Sequence, residues 1–141
     1  MRFFDASALV KKYVRETDSA RVRRLLQSGE VALSRLSEAE VVSAFARLAR
    51  DEAISVVQRD RAAAAFVSDL MAWHVIELTS DVMATARRLL MQHQLRAGDA
   101  VQLSAALVLQ IGLGEALEEF VAYDHRILGV ADAEQLAVRI R

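Results

Sequence analysis

Short apolar runs alternate with long amphipathic stretches along the sequence. This alternation constrains the fold most. Strands that are apolar throughout and far apart in sequence pair in parallel, with a helix making each crossover and covering the sheet. The predicted strands are Arg2–Phe4, Val31–Leu33, His74–Leu78 and Phe120–Tyr123, with a fifth over Leu136–Ile140. Helices are expected over Ser7–Val14, Thr17–Gln27, Ser37–Asp51, Ser55–Ala72, Asp81–Gln94 and Asp99–Ile111. The last is apolar nearly all round, which marks a buried helix. Proline is absent, so nothing breaks long helices. Ser28-Gly29 and Gly112-x-Gly114 read as helix ends. The expected fold class is therefore α/β, a parallel sheet of about five strands flanked by α-helices in an α/β/α sandwich. The 141 residues carry no linker or repeat and suit a single domain over residues 1–141.

Composition narrows the setting. A hydrophobic share of 54% exceeds what an ordinary core needs and points to a further surface to cover, such as a dimer interface or partner site. The absence of cysteine excludes disulfides and thiolate zinc sites and suits a reducing cytoplasm. Met1-Arg2-Phe3-Phe4-Asp5 lacks the apolar core of a signal peptide. Ala100–Ile111 is too short to span a bilayer and contains Gln102 and Ser104, so a cytoplasmic protein away from membranes is expected. The net charge of −1 gives no bulk attraction to nucleic acid. Its distribution is uneven: residues 1–24 hold seven basic and three acidic side chains, and residues 112–141 hold three and six. A local basic patch beside an acidic one is one expectation, and solvated helix faces are the other.

The acidic residues carry the chemistry. Asp5 ends the first predicted strand, Asp124 ends the fourth, and Glu40 sits in the first turn of the helix after the second. In a parallel sheet those places share one edge. Asp99 is not placed by this argument, because a helix precedes it. Taken singly, Asp5, Asp99 and Asp124 read as helix N-caps, Ser37-x-x-Glu40 as a capping box, and Asp99-x-x-Gln102 as something close to one. Taken together, clustered carboxylates repel, and without a cation at least one pKa must rise. A divalent ion relieves this, and oxygen-only ligands select Mg²⁺ or Mn²⁺. Ser7, two residues after Asp5, is either a polar aid to metal or phosphate or a hydroxyl in a first helical turn. His74, His93 and His125 show no zinc spacing. No phosphate loop, dinucleotide fingerprint or nucleophile elbow competes.

Four segments carry a family resemblance. Phe3-Phe4-Asp5-Ala6-Ser7-Ala8-Leu9-Val10 resembles the opening motif of PIN domains, a strand leading to an aspartate with a hydroxyl residue two places on. The segment from Leu33 to Ala44 is similar to their second motif, with Glu40 as its glutamate. Leu95-Arg96-Ala97-Gly98-Asp99-Ala100-Val101-Gln102-Leu103 is similar to the third, and the segment from Phe120 to Leu128 to the fourth. Order, spacing and length agree over nearly the whole chain. Within the family, the VapC-type toxins of toxin–antitoxin pairs are the best match.

The resemblance implies an endoribonuclease that needs Mg²⁺ or Mn²⁺ and cuts transfer, ribosomal or messenger RNA. It implies a homodimer and a cognate VapB-type antitoxin that blocks the site. It makes Asp5, Glu40, Asp99 and Asp124 both the catalytic set and the metal ligands, with Asp5 and Asp99 direct and the others direct or through water. Lys11, Lys12 and Arg15 become candidates to steer the RNA backbone, although solubility explains them equally well. Two departures stand out. Ala122 replaces a frequent Ser or Thr, which removes a polar contact, and Gly98 replaces a bulkier residue, which predicts a looser turn. Glu38 lies two residues from Glu40 and so on a different helical face. The rival readings are a catalytically inactive PIN-like binding or regulatory module, a receiver-like α/β domain, and a DNA or flap nuclease. The lack of any lysine after Lys12 counts against the receiver, and the short chain against the flap nuclease.

Overall fold

The structure, a computed structural model, describes residues 1–139. Its elements in chain order are β1 (Arg2–Phe4), α1 (Ala6–Tyr13), α2 (Ser19–Gln27), β2 (Val31–Ser34), α3 (Leu36–Arg50), α4 (Val56–Leu70), β3 (His74–Ile76), α5 (Ser80–Gln92), α6 (Ala97–Leu113), β4 (Glu119–Val121) and α7 (His125–Ala133). The sheet has four strands in the order β3-β2-β1-β4. Every pairing is parallel, with Phe3 opposite Ala32 on one side and Phe120 on the other.

Strand side chains alternate between the two faces, so each strand feeds two cores. Phe3, Ala32 and Phe120 pack with Leu89 of α5, Leu103 of α6 and Ile127 of α7. Phe4, Leu33 and Val121 pack with Leu9 of α1, Val22 of α2, Phe45 of α3 and Phe66 of α4. The expected three-layer α/β/α arrangement is thus present. The rings of Phe3 and Phe120 stack at 5.6 Å across the β1–β4 pair. Each is fully buried, which favours the fold by about 2–3 kcal/mol per side chain.

The chain runs from β1 to β2 and β3 on one side, then returns to β4 on the other side of β1. The order therefore reverses between β1 and β4. That reversal opens a crevice beyond their carboxyl ends, where ligands of such sheets sit. The crevice walls are tied together by Asp5 N–H donating to Val121 O at 2.9 Å and Tyr123 N–H donating to Ser7 Oγ at 3.1 Å.

The structure corrects several element boundaries. Helix α2 begins at Ser19, because Asp18 adopts a left-handed φ of 69° that no continuous helix accepts. Helix α7, to which the sequence assigns no range, follows Asp124 in the way the N-cap reading of that residue requires. The described part of the expected fifth strand, residues 136–139, forms no strand. It touches β4 through Phe120 N–H to Ala137 O at 2.7 Å, and Ile140 lies outside the described residues. Gly114 does end α6, at a φ of 69°. The capping box falls at Ser55 and Gln58, where each side chain meets the other's backbone N–H.

The uneven charge folds back on itself. Arg2 pairs with Glu118, and Arg21 holds both oxygens of Glu119 at 2.8 and 3.0 Å. Part of the basic amino-terminal segment is thereby neutralised by the acidic carboxyl-terminal one. Among the described residues no helix is long and apolar enough to cross a membrane.

Candidate active site

Asp5 leaves β1 at its carboxyl end and caps α1. Its Oδ2 accepts the Ser7 N–H at 3.0 Å and the Ser7 hydroxyl at 2.6 Å. The residue is 7% exposed. Burial pushes its carboxyl up, the Ser7 bonds pull it down and the charges of Glu40 and Asp99 push it up, and together they leave it at about 6. The Ser7 hydroxyl sits in the first turn of α1 and bridges Asp5 to the Tyr123 backbone.

Glu40 is the fifth residue of α3, one position further in than the sequence suggests, because that helix starts at Leu36. Its Oε1 accepts from Gln102 Nε2 at 2.7 Å, and the same nitrogen donates to Ser37 Oγ at 2.8 Å. Ser37-x-x-Glu40 is therefore no capping box. Both residues lie inside the helix and bind a side chain of α6. Gln102 Oε1 is buried without a hydrogen-bond partner. Glu38 turns aside, as helical spacing requires, and pairs with Arg35 at 3.0 Å.

Asp99 is not an N-cap either. Arg96 holds that position, and Asp99 sits in the first turn of α6. Gly98 before it produces no loosened turn, being helical itself. A Cβ there would meet Glu40 Oε2 at 3.1 Å, so its missing side chain makes room for that carboxylate. Asp124 does cap its helix, accepting the Arg126 N–H at 2.9 Å. Ala122 is buried in the core and does not line the cleft, so the lost hydroxyl lies off its wall.

All four acids line one cleft of about 760 Å³, together with Ser7, Lys11, Arg47, Arg96 and Tyr123. Lys11 is committed within it, donating to Thr17 O at 2.9 Å and lying 4.8 Å from the Tyr123 ring centroid. Lys12 lies elsewhere, bound to Asp69 and set over the rings of Tyr13 and Trp73. Arg15 borders two other depressions.

Sequence reasoning left Arg47, Arg96 and Gln102 without a role in the site. Spacing carried a signal for the two arginines. Arg47 follows Glu40 by seven residues and Arg96 precedes Asp99 by three, so each shares a helical face with an acid. Arg96 Nε lies 3.5 Å from Asp99 Oδ2, and its Nη2 lies 3.6 Å from Asp124 Oδ2. Among the described residues no three Asp, Glu or His side chains close into a finished metal cage. None of the three histidines lines the cleft, and His93 pairs with Glu134 and His74 with Glu30.

Comparisons with known proteins agree with this geometry. The PIN domain family model matches residues 2–133. Ribonuclease VapC45 of Mycobacterium tuberculosis is 36% identical over 108 residues, covering 76% of this chain and 75% of that protein. Among solved structures, Mycobacterium tuberculosis VapC20, a sarcin–ricin loop cleaving toxin, superposes with a TM-score of 0.67 at 18% identity, covering 97% of each chain. A toxin–antitoxin complex from Klebsiella pneumoniae superposes at 0.59 with 16% identity, covering 83% of each. At those identities the two structures speak for the fold alone. A family match over nearly the whole chain, on a sheet whose switch point gathers the motif acids, places this chain in the PIN-domain family, among the VapC-type ribonucleases.

Proposed function

We propose that the protein is a divalent-metal-dependent endoribonuclease that hydrolyses RNA phosphodiester bonds, the toxin half of a VapBC-type pair. The observation that carries the reading is the convergence of Asp5, Glu40, Asp99 and Asp124 from four parts of the chain on one cleft. Asp5 shows the electrostatic tension of such a cluster, its carboxyl raised to about 6 by burial and by Glu40 and Asp99, with Ser7 opposing.

The donor set fits Mg²⁺ or Mn²⁺. It is oxygen only, and Gly98 leaves Glu40 Oε2 room. Mg²⁺ keeps several of its waters and need touch only some of the carboxylates. Such an ion lowers the pKa of a bound water and offsets charge building on the phosphorus oxygens. The chain's own residues do the rest. Asp5 and Asp99 are the direct ligands of the proposal, with Glu40 and Asp124 direct or through water. Ser7 orients Asp5, and Gln102 orients Glu40. Arg47 and Arg96 supply positive charge where a polyanion must approach four acids.

The relatives' names support the rest of the proposal. One is named a ribonuclease and one structural neighbour is a toxin–antitoxin complex, in keeping with a cytoplasmic protein held by a VapB-type antitoxin. A homodimer accounts for exposed apolar side chains such as Val67, Met71, Met91 and Ile111.

The test is cleavage of total cellular RNA by purified protein with Mg²⁺, Mn²⁺ or EDTA, alongside Asp5→Asn and Asp99→Asn. Asn caps α1 about as well as Asp, so Asp5→Asn should fold normally. Metal-dependent cutting lost in both folded variants is the expected result. No cutting by folded, antitoxin-free wild type with any metal would move the reading to a catalytically inactive binding module.

A further inference from the structure

We propose that Arg96 grips the substrate phosphate, and that in the free protein its guanidinium is parked across Asp99 and Asp124, where it competes with the divalent cation. The inference rests on the nuclease reading above and assigns a residue to that site.

Arg96 is placed to do both. Its Nε lies 3.5 Å from Asp99 Oδ2 and its Nη2 3.6 Å from Asp124 Oδ2, so one planar fork spans carboxylates from two elements. Those separations are longer than good charged hydrogen bonds, and the side chain is 69% exposed. Such pairs are screened by water and weak. A locked arginine looks different in this fold. Arg21 grips both oxygens of Glu119 at 2.8 and 3.0 Å and the Tyr123 hydroxyl at 3.1 Å, and is 11% exposed. Arg96 caps nothing with its side chain, so helix α6 does not depend on it.

Parking follows from charge. A cation beside two carboxylates lowers their repulsion. A divalent cation at the same oxygens repels the guanidinium, which has open solvent to swing into. The fork matches a phosphate's oxygens, a geometry that a lysine ammonium does not reproduce. The other cations in or beside the cleft are worse placed. Lys11 is engaged by Thr17 O and Glu16, Arg47 bridges none of the acids, and Arg126 reaches Asp124 alone, at 3.8 Å.

The experiment compares full-length wild type, Arg96→Gln and Arg96→Lys. Mn²⁺ affinity without RNA is read by calorimetry. Affinity for a short randomised single-stranded RNA is read by fluorescence anisotropy in Ca²⁺, across salt concentrations. Arg96→Gln should bind Mn²⁺ about threefold to tenfold more tightly. Its RNA Kd should rise about tenfold, with a salt slope flatter by about one. Arg96→Lys should return Mn²⁺ affinity towards the wild-type value and recover part of the RNA affinity. An unchanged Mn²⁺ affinity or an unchanged RNA Kd in Arg96→Gln overturns the inference while leaving the nuclease reading intact. Wild type that binds no Mn²⁺ overturns both.

Discussion

Gly98 has no side chain at the one place where Glu40 Oε2 needs the space: a Cβ there would lie 3.1 Å from that oxygen. The other oxygen of Glu40 is held by Gln102 at 2.7 Å, so the carboxylate has little room to retreat. Gly98→Ala is expected to separate stability from function. Alanine is favoured over glycine in a helix by up to about 1 kcal/mol, so the melting temperature should hold or rise slightly. Mn²⁺ affinity and RNA cleavage should fall as Glu40 is pushed aside. Wild-type values of both would show that Glu40 accommodates the methyl group freely.

The Gln102 amide is the second support of Glu40. Its Nε2 serves Ser37 and Glu40, while its Oε1 is buried without a partner. Gln102→Leu strips a donor from two acceptors at a cost on the order of 1–3 kcal/mol, offset in part by removing the orphaned oxygen. Urea midpoints should drop, and cleavage per folded molecule should drop as well. Lower stability with full cleavage would make Gln102 a core residue only.

Asp5 gives the metal-free protein a pH dependence of known sign. Its carboxyl sits at about 6 in the fold, against an ordinary 3.8. Between those values the folded state holds a proton that the unfolded state has lost. The contribution is therefore full below the unfolded value and is lost as pH rises through about 6, up to about 3 kcal/mol. Urea midpoints in EDTA should fall across that window for wild type and stay flatter for Asp5→Asn. Adding Mg²⁺ at neutral pH should restore wild type but not the variant.

Lys12 and Asp69 belong to stability, whereas Arg47 belongs to the cleft. Asp69 accepts from the Tyr13 hydroxyl at 2.5 Å and pairs with Lys12, and none of the three lines the cleft. Asp69→Ala orphans a half-buried hydroxyl and should cost about 1–3 kcal/mol with RNA affinity unchanged. Lys12→Met should likewise leave RNA affinity alone. Arg47→Gln should weaken RNA binding at unchanged melting temperature. Anisotropy and thermal melts on the same preparations read both. RNA affinity lost in Lys12→Met would put that lysine on the substrate path.

The α/β class and the acids at strand ends were legible because local physics writes them into the sequence. An apolar run such as Phe3-Phe4 must be buried, a strand so buried pairs in parallel beneath helices, and the residue after it, Asp5, emerges at the sheet's carboxyl edge. Asp124 followed by the same logic. Asp99 did not, because a helix can approach a sheet edge from many directions, and only the packing of α6 into the core of Phe3, Ala32 and Phe120 brings its first turn to the cleft. The same holds for Gln102 meeting Glu40 across 62 residues, for Gly98 making room for that carboxylate, and for Arg96 spanning Asp99 and Asp124. The fifth strand was misjudged for a related reason. Apolar alternation supplies propensity, but a strand needs a ladder of backbone bonds, and residues 136–139 are not assigned to one. The sequence by itself determined which residues must be buried and which acids must leave strand ends, because burial and strand geometry act over a few residues. The tertiary structure alone decided which side chains share the cleft and which partner each carboxylate faces, because those depend on how distant helices pack and no local spacing encodes it.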